Sequence, residues 1–132
     1  MYFLSNNLRE YWLHESIIKN ISCYDSEIVI EFKKGFWNQH CSPGNNCRLI
    51  IGIKRINANN AEYFVSVKKI GTLLNREICF AKFQSQISKS GFYVDVEYFS
   101  EFERSLVLVG EINSKYIAFK ITDIENIKYI YK

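Results

Sequence analysis

The chain has 132 residues, with 17 Lys+Arg against 14 Asp+Glu for a formal net charge of +3, and 48% of it is hydrophobic. That length supports one domain, residues 1–132, with a hydrophobic core of its own. So small a charge, scattered except for the doublets Lys33-Lys34, Lys54-Arg55 and Lys68-Lys69, argues against nucleic acid as a partner.

The opening residues, MYFLSNNLREYWLHESIIKN, lack the charged start and apolar stretch of a signal peptide. No run reaches the roughly 18–20 apolar residues of a spanning helix. The expectation is a cytoplasmic protein without a membrane span, whose four cysteines are free thiols. Within residues 1–16, Ser5-Asn6-Asn7 suits a short capped turn, and Tyr2, Phe3, Tyr11 and Trp12 suit packing of this segment against a sheet.

Residues 17–23 and 27–33 flank Tyr24-Asp25-Ser26 and predict a hairpin. In its second arm Ile28, Ile30 and Phe32 alternate with Glu27, Val29, Glu31 and Lys33, a strand with one buried face. Residues 38–47 are rich in Asn, Gly, Ser and Pro and read as a loop. Residues 48–56 are almost continuously apolar and predict a strand buried on both faces. After the turn at 57–60, residues 61–70 return as its hairpin partner, with Tyr63, Val65 and Val67 alternating. Between 77 and 90 the period changes: Phe80, Phe83 and Ile87 form one apolar stripe on a short helix closed by Gly91.

From Gly91 onward four β-type runs, beginning near residues 92, 105, 116 and 126, are joined by short turns and predict an antiparallel meander. In the first run strict alternation puts Phe92, Val94, Val96 and Tyr98 on one face and Tyr93, Asp95, Glu97 and Phe99 on the other. The expected fold is α+β, predominantly antiparallel β. Two hairpins and a C-terminal meander form a curved sheet or partly open barrel, with one short helix packed on it.

Few residues carry recognisable chemistry. His40-Cys41 with Cys47 is the best metal candidate, but zinc needs a fourth ligand from Cys23 or Cys79, both read as small buried hydrophobes. His14 and His40 are the only histidines, and neither stands in a nucleophile–base motif. No phosphate-binding glycine loop occurs. The reading is therefore non-enzymatic, with no cofactor, no metal and no catalytic residue.

The remaining cluster is Tyr93, Asp95, Glu97 and Phe99, extended by Glu101, Phe102 and Glu103 in the following loop. Aromatic anchors beside carboxylates suit a protein partner and repel a phosphate backbone. The plainer reading is a solvated outer face.

Leu13-His14-Glu15-Ser16, Glu31-Phe32, Gly35-Phe36-Trp37, Glu97-Tyr98-Phe99 and Leu106-Val107-Leu108 together resemble small β-rich bacterial immunity proteins of polymorphic toxin systems, including contact-dependent growth inhibition. The resemblance implies a cytosolic protein that binds a cognate toxin domain and blocks it sterically, without turnover. It transfers no binding residue, and the Tyr93 to Glu103 region rests on the physical reading alone. A small-ligand-binding barrel and a Zn- or thiol-dependent enzyme are the alternatives.

Overall fold

The computed structural model describes residues 2–5, 13–35, 47–54, 61–71 and 76–130. The strands are β1 (Tyr2–Ser5), β2 (Ile17–Cys23), β3 (Glu27–Lys34), β4 (Cys47–Ile53), β5 (Val65–Ile70), β6 (Arg76–Glu77), β7 (Phe92–Ser100), β8 (Ser105–Ile112), β9 (Lys115–Ile121) and β10 (Ile124–Ile130). One helix, α1 (Phe80–Ser90), and a 3-10 turn, Ala61–Phe64, complete the described elements. Among the described residues the strands form one antiparallel sheet in the order β1-β10-β4-β3-β2-β7-β8-β9-β5-β6, not closed into a barrel.

Local chemistry explains the hairpins. The β2–β3 turn is closed by the Tyr24 N–H donating to the Glu27 carbonyl at 2.8 Å, around Asp25-Ser26. The β8–β9 turn puts Asn113 and Ser114 at φ 50° and 63°, the paired positive values of a two-residue hairpin turn that suits strand twist. Along β3, Ile28, Ile30 and Phe32 are all fully buried, as the alternation predicts.

Longer-range pairing departs from expectation in three places. Strand β4 does not form a hairpin with β5. It pairs with β3 on one side and β10 on the other, while β5 pairs with β9 and β6. The C-terminal meander has three strands, not four, because β10 leaves β9 for β4 and β1. Finally, β4 is buried on one face only. Leu49, Ile51 and Ile53 point inward, whereas Ile50 is half-buried beside Val29 and Lys128 on the outer face.

Strands β9 and β10 do not pair, yet only Thr122 and Asp123 separate them. The sheet must therefore curl, bringing its two halves face to face around one core. Inward residues from both halves, such as Ile30, Leu49 and Ile127 from one and Val94, Leu108 and Phe119 from the other, belong to a single buried cluster. The curl is filled by aromatic packing: Phe83 lies 5.4 Å from Phe92, edge to face, and 5.5 Å from Phe119.

The helix seals a gap in this sheet. Strands β2 and β7 pair only through Ile17–Tyr93 and Ile18–Phe92, then diverge. Helix α1 packs against β2, and its Gln84 amide donates to the Ile21 carbonyl at 2.7 Å, replacing a ladder bond. Burying Phe80, Phe83 and Ile87 anchors the helix with roughly 5–9 kcal/mol before entropic costs. The helix ends where the Gly91 N–H donates to Ile87, with Gly91 at φ 76°.

Candidate partner-binding surface

Strand β7 decides what the surface presents. Its ladder with β8 runs Tyr93–Glu111 and Val94–Gly110, then resumes at Val96–Val109, so Asp95 is an extra residue in a β-bulge. A bulge inverts the alternation beyond it. Phe92 and Val94 point into the core, but so does Phe99, and the Glu97 side chain is only 13% exposed. Val96 and Tyr98 turn outward instead, 50% and 64% exposed. Tyr93, Asp95, Glu97 and Phe99 therefore do not share a face. Tyr93 and Asp95 are on the surface, while Glu97 and Phe99 have been carried inward by the bulge.

The sequence does hold a mark of this bulge. Gly110, opposite Val94, is a buried glycine inside a β-branched strand, where a Cβ would overlap the Tyr93 carbonyl oxygen. Glycine in a strand interior marks a bulge or close backbone approach.

Glu97 has a structural task. Its Oε1 accepts the Leu13 N–H at 2.9 Å and lies 3.8 Å from Nδ1 of His14. Nearby, the Glu15 N–H donates to the Val94 carbonyl and the Val94 N–H to that of Ser16, so residues 13–16 line the edge of β7. His14 is thus part of a strand-edge clasp.

The outer face left by the bulge contains Tyr93, Val96 and Tyr98, with Val107 and Val109 of β8 and Tyr116 of β9 beside them. The Tyr116 hydroxyl donates to the Asp95 carboxylate across β8. That bond raises the Tyr116 pKa above the ordinary phenol value, with minor additions from burial and from the charges of Asp95, Glu111 and Tyr93. Strict alternation puts Val96 and Tyr98 on the face of Phe92 and Val94, and nothing local in the sequence marks the contact of Tyr116 with Asp95.

The β7–β8 connection extends beyond this face. Glu101, Phe102 and Glu103 are all exposed, Phe102 at 99%. The tip is nevertheless tightly held. The Glu103 N–H donates to Ser100 Oγ at 3.1 Å, and Arg104 turns the chain at φ 52°. The Arg104 guanidinium donates to the carbonyls of Ile124 at 2.9 Å and Glu125 at 2.6 Å, and its own carbonyl accepts from Ile124 at 3.0 Å. Four bonds thus fix a hairpin whose apex is an uncovered phenylalanine between two carboxylates. At its foot lies a cleft of about 440 Å³ lined by Lys54, Glu103, Arg104, Asp123, Ile124 and Glu125.

The cysteines divide differently from expectation. Cys47, at the end of the expected 38–47 loop, is a buried residue that begins β4. Cys79 is exposed ahead of α1 rather than buried. Cys23 is half-buried, and burial, with a smaller contribution from the Glu62 charge, pushes its thiol up to about 12. His40 and Cys41 lie outside the described residues, among which no group of three or more His, Cys, Asp or Glu side chains is placed to hold a metal ion. Among the described residues no helix is long and apolar enough to cross a membrane.

No family model matches the chain, and comparisons with curated proteins and with solved structures also return no match.

Proposed function

We propose that this chain acts by binding another protein, as an immunity protein that occludes a cognate bacterial toxin domain without turnover. The observation that carries this reading is the β7–β8 tip, Glu101-Phe102-Glu103, where a 99% exposed phenylalanine stands on a hairpin clamped by Arg104. An uncovered aromatic side chain gains roughly 1.5–3 kcal/mol when a partner pocket buries it. Because the tip is already ordered, little of that gain is spent on fixing it, the condition under which one aromatic becomes a binding hot spot. The flanking carboxylates steer encounter toward a locally basic surface, even though the chain as a whole carries +3. The resemblance to β-rich immunity proteins supplies the partner class.

The test pairs this chain with a toxin domain encoded beside it. A 1:1 complex that restores growth of toxin-expressing cells is expected. Phe102→Ala should weaken it by about 30-fold or more, the loss of a hot spot worth at least ~2 kcal/mol. Unchanged affinity in Phe102→Ala, with the fold intact, refutes the tip as the anchor. Absence of any complex or rescue refutes the immunity reading.

A further inference from the structure

The outer face of β7, β8, β9 and β5 carries a charge pattern that the hairpin tip does not use. Its middle row is apolar, Val96 beside Val109 beside Ala118, and continues to Lys68 on β5 and, outboard of it, Glu77 on β6. At one corner are two carboxylates, Asp95 in the bulge and Glu111 opposite Tyr93. At the diagonally opposite corner are two lysines, Lys68 and Lys120. Among the described residues Glu111, Lys68 and Lys120 form no ion pair. The other half of the sheet differs: there Glu27 pairs with Lys128 at 3.9 Å, and Asn20 donates to Glu31 at 3.3 Å.

The spacing of these corners is the decisive point. With strands ~4.8 Å apart and ~6.8 Å per two-residue step, the acidic and basic corners lie ~13 Å apart, and their midpoint falls between Val109 and Ala118. A two-fold axis lying in the face through that midpoint, perpendicular to the line joining the corners, sets each acidic corner on the basic corner of a second copy. The same operation crosses the valine row over its own image near Val109 and Ala118. A face whose charges are complementary to its own rotated image meets the requirement of an isologous dimer.

We infer that this face is a homodimer interface, formed by a second copy of the chain packing sheet on sheet with strands crossing near a right angle. The tyrosines flanking the valine row, Tyr93 at 41% and Tyr98 at 64% exposed, are covered by the partner copy. Three rows over four strands give a footprint at the small end of specific interfaces, so association is in the micromolar range.

Sedimentation velocity of the full chain, from about 1 to about 200 μM in low salt, tests this across the micromolar range expected of so small an interface. A concentration-dependent dimer is expected, weakened at least ~10-fold by Val96→Lys, which places a charge in the apolar row. Asp95→Lys with Glu111→Lys makes both corners of one chain basic. Lys68→Glu with Lys120→Glu makes both acidic. Each preparation alone should be monomeric, and their equimolar mixture should dimerise because attraction is restored at both contacts. Circular dichroism and melting temperature establish that each variant is folded. A wild-type monomer at about 200 μM, a dimer undiminished by Val96→Lys, or a mixture that stays monomeric would each overturn the inference.

Discussion

Replacing Glu97 tests whether this carboxylate is structural, as the bulge places it, or part of the exposed binding surface that unbroken alternation implies. In the fold its Oε1 accepts the Leu13 N–H at 2.9 Å, Leu13 itself is 2% exposed, and the Glu97 side chain is 13% exposed. Glu97→Ala strands a buried backbone donor and removes a charge-assisted acceptor, a loss of roughly 2–3 kcal/mol. For a domain of this length that corresponds to a fall of about 6–10 °C in Tm. Glu97→Gln retains a carbonyl acceptor of similar reach and should lose less than about 1 kcal/mol. Thermal melts and urea titrations at neutral pH give both values. If Glu97→Ala melts within about 2 °C of the parent, the clasp on residues 13–16 contributes nothing and the reasoning fails. The parallel variant Asp95→Ala, at an exposed bulge residue, should leave Tm nearly unchanged.

Other positions make independent predictions. Gly110→Ala forces a methyl group against the Tyr93 carbonyl and should cost about 3 kcal/mol or more in a denaturant titration, since backbone has to move; a loss below about 1 kcal/mol would show that the bulge yields readily. The Tyr116 phenol, raised chiefly by its hydrogen bond to Asp95, should titrate above the ordinary value of 10.0 in ultraviolet difference absorbance. Since its pKa is raised, the stabilisation from this bond is complete below the ordinary value and disappears as pH climbs through the raised one. Asp95→Ala should bring that titration down, and an unchanged curve would deny the contact. Thiol alkylation at pH 8 followed by peptide mapping should label exposed Cys79 well before buried Cys47 and before Cys23, whose thiol is pushed up to about 12; early labelling of Cys23 would contradict its burial.

Local features were legible because local rules govern them. The stripe of Phe80, Phe83 and Ile87 marks α1, and the alternation of Ile28, Ile30 and Phe32 marks β3, since each pattern is written within a few consecutive residues. The pairing of β4 with β10 is not written that way. An apolar run such as 48–53 is compatible with several neighbours, and the choice depends on which strands the curl brings together. The Tyr93–Phe99 face failed for a different reason. Strict alternation assumes one residue per ladder position, so one bulge at Asp95 exchanges Glu97 and Phe99 for Val96 and Tyr98. The tip residues Glu101, Phe102 and Glu103 escaped that error because a turn does not depend on strand parity.

The pairing of β10 with β4 has a kinetic consequence. Hairpins β2–β3, β7–β8 and β8–β9 join strands adjacent in sequence, but β10 meets β4 through Ile124–Ile53, about 70 residues apart. Closing that span costs roughly 2–3 kcal/mol more chain entropy than closing a hairpin. Docking of β10 should therefore follow formation of the hairpins and lie largely beyond the folding transition state. Truncating Ile127, 1% exposed in the core, is then expected to accelerate unfolding while leaving the refolding rate almost unchanged. The last strand is a latch that sets how long the native state survives and has little influence on how quickly it is reached.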